Sequence, residues 1–174
     1  MAANGSLAYL PGSATGRRTL VWVDREGIEQ QIEIPSGTYA TPRVSPDGTR
    51  IVAANLSEEL DLWTYQIGRG TSQRLTYDPG EDSSPVWTSD GTKVVFRSTG
   101  RDGGPGIFWK AADGTGNAER LSVGNHIPSS VSPDDTRLLF SDIADGHIGL
   151  LSLDGEPNPE VLLESQFRAQ HVVV

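Results

Sequence analysis

The chain has 174 residues, enough for one well-buried domain, and its 23 acidic and 14 basic side chains give a formal charge of −9. That balance, with no Lys/Arg run, opposes binding to nucleic acid and to anionic membrane surfaces. The absence of cysteine removes disulfides and thiolate metal sites, and no apolar run nears the roughly 20 residues of a membrane span.

Read in chain order, every predicted element is a short strand. Strands are predicted over 7–10, 20–24, 30–34 and 41–44, and the next set covers 50–55, 61–67, 73–76 and 84–87. A third set covers 93–98, 107–111, 118–122 and 129–131, and a fourth 137–142, 148–153, 160–163 and 171–174. The strands that open each set after a turn are continuous apolar runs, as expected when both faces are covered. The second strands alternate. Leu20/Trp22, Trp63/Tyr65, Ile107/Trp109 and Ile148/Leu150 are pairs two residues apart, each on one face of its strand. No segment has a useful helical period.

The turns repeat with the strands. Asn4-Gly5, Asp47-Gly48, Asp90-Gly91 and Asp134-Asp135 are spaced 43, 43 and 44 residues apart. Val44-Ser-Pro-Asp-Gly-Thr-Arg-Ile-Val is echoed by Trp87-Thr-Ser-Asp-Gly-Thr-Lys-Val-Val and Val131-Ser-Pro-Asp-Asp-Thr-Arg-Leu-Leu. A repeat of this length built from short strands predicts an all-β fold, a β-propeller of four-stranded antiparallel blades. The units run 1–44, 45–87, 88–131 and 132–174, within a single propeller domain or propeller fragment. The phase predicts that the strand at 171–174 completes the first blade and closes the ring. Two closed geometries follow, a self-closed four-bladed monomer or a head-to-tail homodimer of eight blades. The homodimer is the favoured expectation because Trp- and Phe-rich blades fill wide rings. A piece of a larger propeller is the third.

The Ser45-Pro-Asp-Gly-Thr-Arg-Ile phrase and its copies resemble the repeat of bacterial TolB-like, WD-repeat-like propellers. Leu20-Val-Trp-Val-Asp-Arg-Glu-Gly, Leu75-Thr-Tyr-Asp-Pro-Gly and Ile107-Phe-Trp-Lys-Ala-Ala-Asp-Gly-Thr-Gly are similar to a branch found C-terminal to bacterial serine/threonine protein kinases. The resemblance covers essentially the whole chain. It implies a propeller with an extracytoplasmic, periplasmic or extracellular setting. Met1-Ala-Ala-Asn-Gly has no signal-peptide layout, so the chain is expected to be cytoplasmic or part of a longer protein.

Catalytic motifs are missing from the sequence. It contains no Gly-x-Ser-x-Gly elbow, no phosphate-binding Gly-x-x-x-x-Gly-Lys loop and no His-Glu-x-x-His. Gly103-Gly-Pro-Gly106 joins two strands and reads as a hairpin loop. Asp47, Asp90 and Asp134 recur once per unit, so they serve turn geometry, and Asp135 stands where the other units have glycine. The acids Glu58, Glu59, Asp61, Asp78, Glu81, Asp82, Asp102, Asp142 and Asp145 fall on loops predicted at one common face.

A non-enzymatic module that binds a protein, peptide or other ligand, as sensor or scaffold, is therefore expected. No cofactor and no metal is expected. The candidate ligand-binding residues are Tyr39, Asp78, Glu81, Asp82, Arg101, Asp102, His126, His147, Phe167, Arg168 and His171. The alternatives are a lactonase-like or lyase-like metal enzyme using the loop His and acidic residues, and a propeller fragment without independent function.

Overall fold

The Asp47-Gly48, Asp90-Gly91 and Asp134-Asp135 turns each reverse the chain tightly enough for the flanking strands to pair at once. In the computed structural model, residues 7–9, 19–57, 60–101, 103–155 and 157–164 are described. They form four antiparallel meanders. The first sheet is β1 (Leu7–Tyr9), β2 (Val21–Val23) and β3 (Glu29–Gln31). The second is β4 (Tyr39–Val44), β5 (Arg50–Asn55), β6 (Asp61–Gln66) and β7 (Ser72–Arg74). The third is β8 (Asp82–Trp87), β9 (Lys93–Ser98), β10 (Gly106–Ala111) and β11 (Glu119–Arg120). The fourth is β12 (His126–Val131), β13 (Arg137–Asp142), β14 (Ile148–Ser152) and β15 (Pro159–Leu163). The first strand of each four-stranded sheet lies innermost, and neighbouring innermost strands β4, β8 and β12 touch in series.

The innermost strands begin two or three residues earlier than the sequence pattern suggests. Pro42 and Pro85 cannot donate to a ladder, so the pattern gives no sign of pairing beyond Thr41 and Ser84. The structure instead passes the proline with a bulge. Pairing shifts between Ala40 and Arg43, and between Ser83 and Val86. Thr41 and Ser84 carry the bend with φ of 47° and 53°. Pairing then resumes upstream at Tyr39↔Asn55 and Asp82↔Ser98.

Three apolar cores lie between successive sheets. Leu20 and Ile32 of the first pack with Tyr39, Ile51, Ala53 and Tyr65 of the second. Leu62 and Leu75 of the second pack with Val94, Phe96 and Phe108 of the third. Ile107 and Leu121 of the third pack with Leu138, Phe140 and Leu151 of the fourth. Burial of this kind, at about 25 cal/mol per Å² of apolar surface, is what holds one sheet to the next. The strand alternation is as expected, but the pairs do not all face the same neighbour. Leu20/Trp22 and Ile107/Trp109 pack toward the following sheet, whereas Trp63/Tyr65 pack toward the preceding one.

Among the described residues, no strand of the first sheet contacts the fourth. The expected closing strand at 171–174 lies outside the described residues.

Candidate functional site

The meander sends two sets of loops to one end of the sheets, those after the second strand of each blade and those leading into the next innermost strand. Tyr39, Asp78, Glu81, Asp82, Arg101, His126 and His147 all lie at this end. Asp102, Phe167, Arg168 and His171 lie outside the described residues, as do Glu58 and Glu59.

Three of the candidates hold the same place in three blades. Tyr39, Asp82 and His126 each open an innermost strand, and each pairs with the last residue of the next strand: Asn55, Ser98 and Asp142. All three are buried, at 2 %, 1 % and 8 % exposure. Tyr39 was a possible contact aromatic by sequence. Instead its hydroxyl donates to the Pro35 carbonyl, and its ring meets Tyr65 edge-on at 5.3 Å.

His126 is held from several sides. Its Nδ1 lies 3.0 Å from the Ser122 hydroxyl, its Nε2 lies 3.4 Å from Asp142, and its ring packs 4.4 Å from Phe140. Burial pushes the imidazole below its ordinary value, and the Asp142 carboxylate pulls partly back. His147 is half-buried, in the β13–β14 loop.

Arg101 organises the neighbouring loops. Its guanidinium pairs with Asp78 and, at 3.0 Å, with Asp82. It also lies 5.4 Å and 5.3 Å from the Phe96 and Phe108 rings. Asp78 comes from the loop between β7 and β8, so this cation ties one blade's outgoing loop to the next blade. Burial is the dominant influence on Asp82 and raises its carboxyl, with the nearby Ser98 hydroxyl and then Arg101 opposing it. Among the described residues, neither Asp82 Oδ1 nor the cross-strand Ser98 Oγ, both buried, has a partner within strict hydrogen-bond geometry. The loop backbones also touch, for a Cβ built on Gly100 would stand 2.3 Å from the Gly80 Cα.

A second ion pair, with a buried acid and a half-buried base, sits at the same end. Arg74 pairs with Asp61, whose other oxygen accepts from the Thr76 hydroxyl at 3.2 Å. Asp61 is named by sequence only as one loop acid among nine, and Arg74 is missed. A signal existed in the recurrence of Arg74-Leu-Thr-Tyr as Arg120-Leu-Ser-Val.

Sequence reading also missed the apolar residues of this end. Leu56, Tyr77, Val123 and Ile143 are exposed by 41 %, 59 %, 66 % and 37 %, each on a different loop. Asp78 and Glu81 stand exposed among the same loops. Among the described residues, no three His, Asp or Glu side chains gather closely enough to hold a metal ion.

The opposite end carries the turns. Asp47 accepts from Ser45 Oγ at 2.5 Å and from Thr49 N at 3.0 Å, which holds its carboxyl down at about 2. Thr88, Asp90 and Thr92 repeat the arrangement, as do Ser132, Asp134 and Thr136. A cleft of about 350 Å³ at this end is lined by Arg50, Gln66, Gln73 and Asp113 and contains no candidate residue.

Comparison with known proteins agrees with the architecture. The family profile described as TolB beta propeller domain matches residues 6–171. The crystal structure of TolB from Acinetobacter baumannii is similar with a TM-score of 0.76 at 19 % identity, over 91 % of this chain and 41 % of that one. A putative TolB from Agrobacterium tumefaciens gives 0.73 at 21 % identity, over 91 % of this chain and 61 % of that one. A prolyl endopeptidase structure gives 0.62 at 18 % identity, over 93 % of this chain and 28 % of that one. The chain thus spans about two-fifths and three-fifths of the two TolB structures.

Proposed function

The chain belongs to the TolB beta propeller domain family, and from that premise we propose that it is a non-enzymatic binding module. Its ligand is a protein or peptide segment bound across the loop end, and its role is that of a sensor or scaffold in an extracytoplasmic setting. The observation that carries this reading is the exposed set Leu56, Tyr77, Val123 and Ile143, delivered by four separate loops to one end. Exposed apolar side chains gathered at one end of a soluble fold mark an interaction surface more than isolated ones do. With Asp78 and Glu81 exposed beside them and a chain charge of −9, the complementary segment carries aromatic or aliphatic side chains together with Lys or Arg. The buried members Tyr39, Asp82, Arg101 and His126 then serve as the rigid floor that positions these loops.

A phage-displayed peptide library panned on the purified chain tests this. Recovered peptides rich in Lys/Arg and aromatic residues are expected, with affinity at least tenfold weaker for the Tyr77→Ser, Val123→Ser double variant. No enrichment, or enriched peptides that bind the variant equally well, would overturn the reading.

A further inference from the structure

One imidazole joins the bases of two loops at the loop end. Ser122 opens the segment that leads into β12, and Asp142 closes β13. The His126 ring lies between them, with Nδ1 at 3.0 Å from the Ser122 hydroxyl and Nε2 at 3.4 Å from the Asp142 carboxylate. The residue after each partner is apolar and exposed, Val123 by 66 % and Ile143 by 37 %. Two backbone bonds run through the same join, from Gly124 N to the Pro105 carbonyl at 3.0 Å and from Ile143 N to the Asn125 carbonyl at 2.9 Å. The two preceding blades carry Tyr39 and Asp82 at the place of His126. Histidine alone of the three ordinarily changes charge between about pH 5 and 8.

The partners of the ring fix its protons. An ionised carboxylate only accepts, so Nε2 carries the proton and Nδ1 accepts from Ser122. A second proton turns Nδ1 into a donor. Ser122 Oγ already accepts from Ile107 N at 3.3 Å, and its own proton then loses its acceptor at a residue only 6 % exposed. The surrounding charges push the same way. Asp142 draws the imidazolium toward β13. Arg97, from β9, reaches Asn125 Oδ1 at 3.4 Å, and Arg120 reaches the Ser122 carbonyl at 3.3 Å, so both cations stand on the side that the ring leaves. From β8 comes Asp82, already paired with Arg101. β10 has no charged residue at this end, and Asp145 and His147 lie in the β13–β14 loop. We infer that His126 is an acid-operated latch: neutral, it ties the Val123 loop to the Ile143 loop, and protonated, it stays with Asp142 and releases residues 122–125. Burial disfavours the imidazolium in the closed form, so the released form takes up the proton. Acid then parts Val123 from Ile143, and a peptide held across them is let go. That consequence rests on the binding surface proposed above, whereas the latch itself does not.

Hydrogen exchange of the purified chain, read at Gly124 and Ile143 and corrected for the intrinsic effect of pH, tests the latch without any ligand. From about pH 7.5 to 5.5, protection at both amides should fall by about three- to tenfold, which is what one proton of ordinary value 6.5 can drive. Thr99 N makes the counterpart bond to the Glu81 carbonyl at 3.1 Å in the preceding blade. Its protection should hold within about twofold. His126→Gln should abolish the fall at Gly124 and Ile143, and His147→Gln should keep it. The comparison with Thr99 is made within the unaltered chain, so it stands even where a variant does not fold. Constant protection at Gly124 and Ile143, an equal fall at Thr99, a fall that survives His126→Gln or one that vanishes with His147→Gln would overturn the inference. A chain that shows the latch but captures no peptide counts against the proposed ligand surface alone.

Discussion

The Arg101 guanidinium lies 3.0 Å from the Asp82 carboxylate, and the two side chains are exposed by only 10 % and 1 %. Asp82 opens the innermost strand of the third blade, and Arg101 follows that blade's second strand. Removing one partner leaves an uncompensated charge in a dry place. Arg101→Met is therefore expected to cost about 3–5 kcal/mol. Asp82→Asn placed on top of it should recover part of that loss, because the stranded charge is then gone. Urea denaturation of both single variants and the double variant measures the coupling directly.

Asp135 gives the second prediction. It has φ of 57°, where the two preceding turns have Gly48 and Gly91. Its carboxylate accepts from Ser89 N at 2.5 Å and from Asp90 N at 3.1 Å, so it clamps its own turn to the previous blade's turn. Asp135→Gly relieves a left-handed conformation worth roughly 1–2 kcal/mol. It removes two charge-assisted hydrogen bonds worth roughly 1.5–3 kcal/mol each. A net loss of about 1–5 kcal/mol is expected from those terms, read as a lower urea midpoint with an unchanged slope.

His126 makes stability depend on pH. Its folded value lies below the ordinary 6.5 because burial disfavours the imidazolium. On acidification the unfolded chain takes up this proton first. The contribution is complete above the ordinary value and is lost as pH falls toward the folded one. Unfolding free energy should therefore decline below about pH 6.5, with His126→Gln showing a shallower decline. Urea titrations of both proteins between pH 7.5 and 5 check the sign, and equal slopes would contradict it.

Gly80 and Gly100 interlock the two loops that carry Asp78 and Arg101. Either Gly80→Ala or Gly100→Ala puts a Cβ 2.3 Å from the other residue's Cα, where only backbone movement can make room. Each should cost about 1–3 kcal/mol, as overpacking does. The double variant should cost less than the sum, since one loop displacement serves both. Thermal or urea melts of the three variants decide this.

Much of the fold was legible because a propeller blade is written in local signals. The Asp-Gly turns, the apolar runs and the period-two strands place Arg50–Asn55, Lys93–Ser98 and Arg137–Asp142 to the residue. The gathering of Tyr39, Asp82 and His126 at one end was also legible, because meander topology fixes which loops share an end. The innermost strands were less legible. The pairing upstream of Thr41 and Ser84 depends on a bulge beside Pro42 and Pro85, which no local pattern announces.

By itself, the sequence determined the local geometry: where the chain turns, which residues alternate, and that Asp47, Asp90 and Asp134 cap turns. Only the tertiary structure decided what each residue is buried against. Tyr39 became core, Arg101 became a clamp between blades, and Tyr77 and Val123 were left at the surface. Exposed Leu163 differs from buried Leu75 in its surroundings and not in its chemistry. The physical reason is that hydrogen bonding between adjacent strands is set within a blade, whereas burial is set by the blade next door.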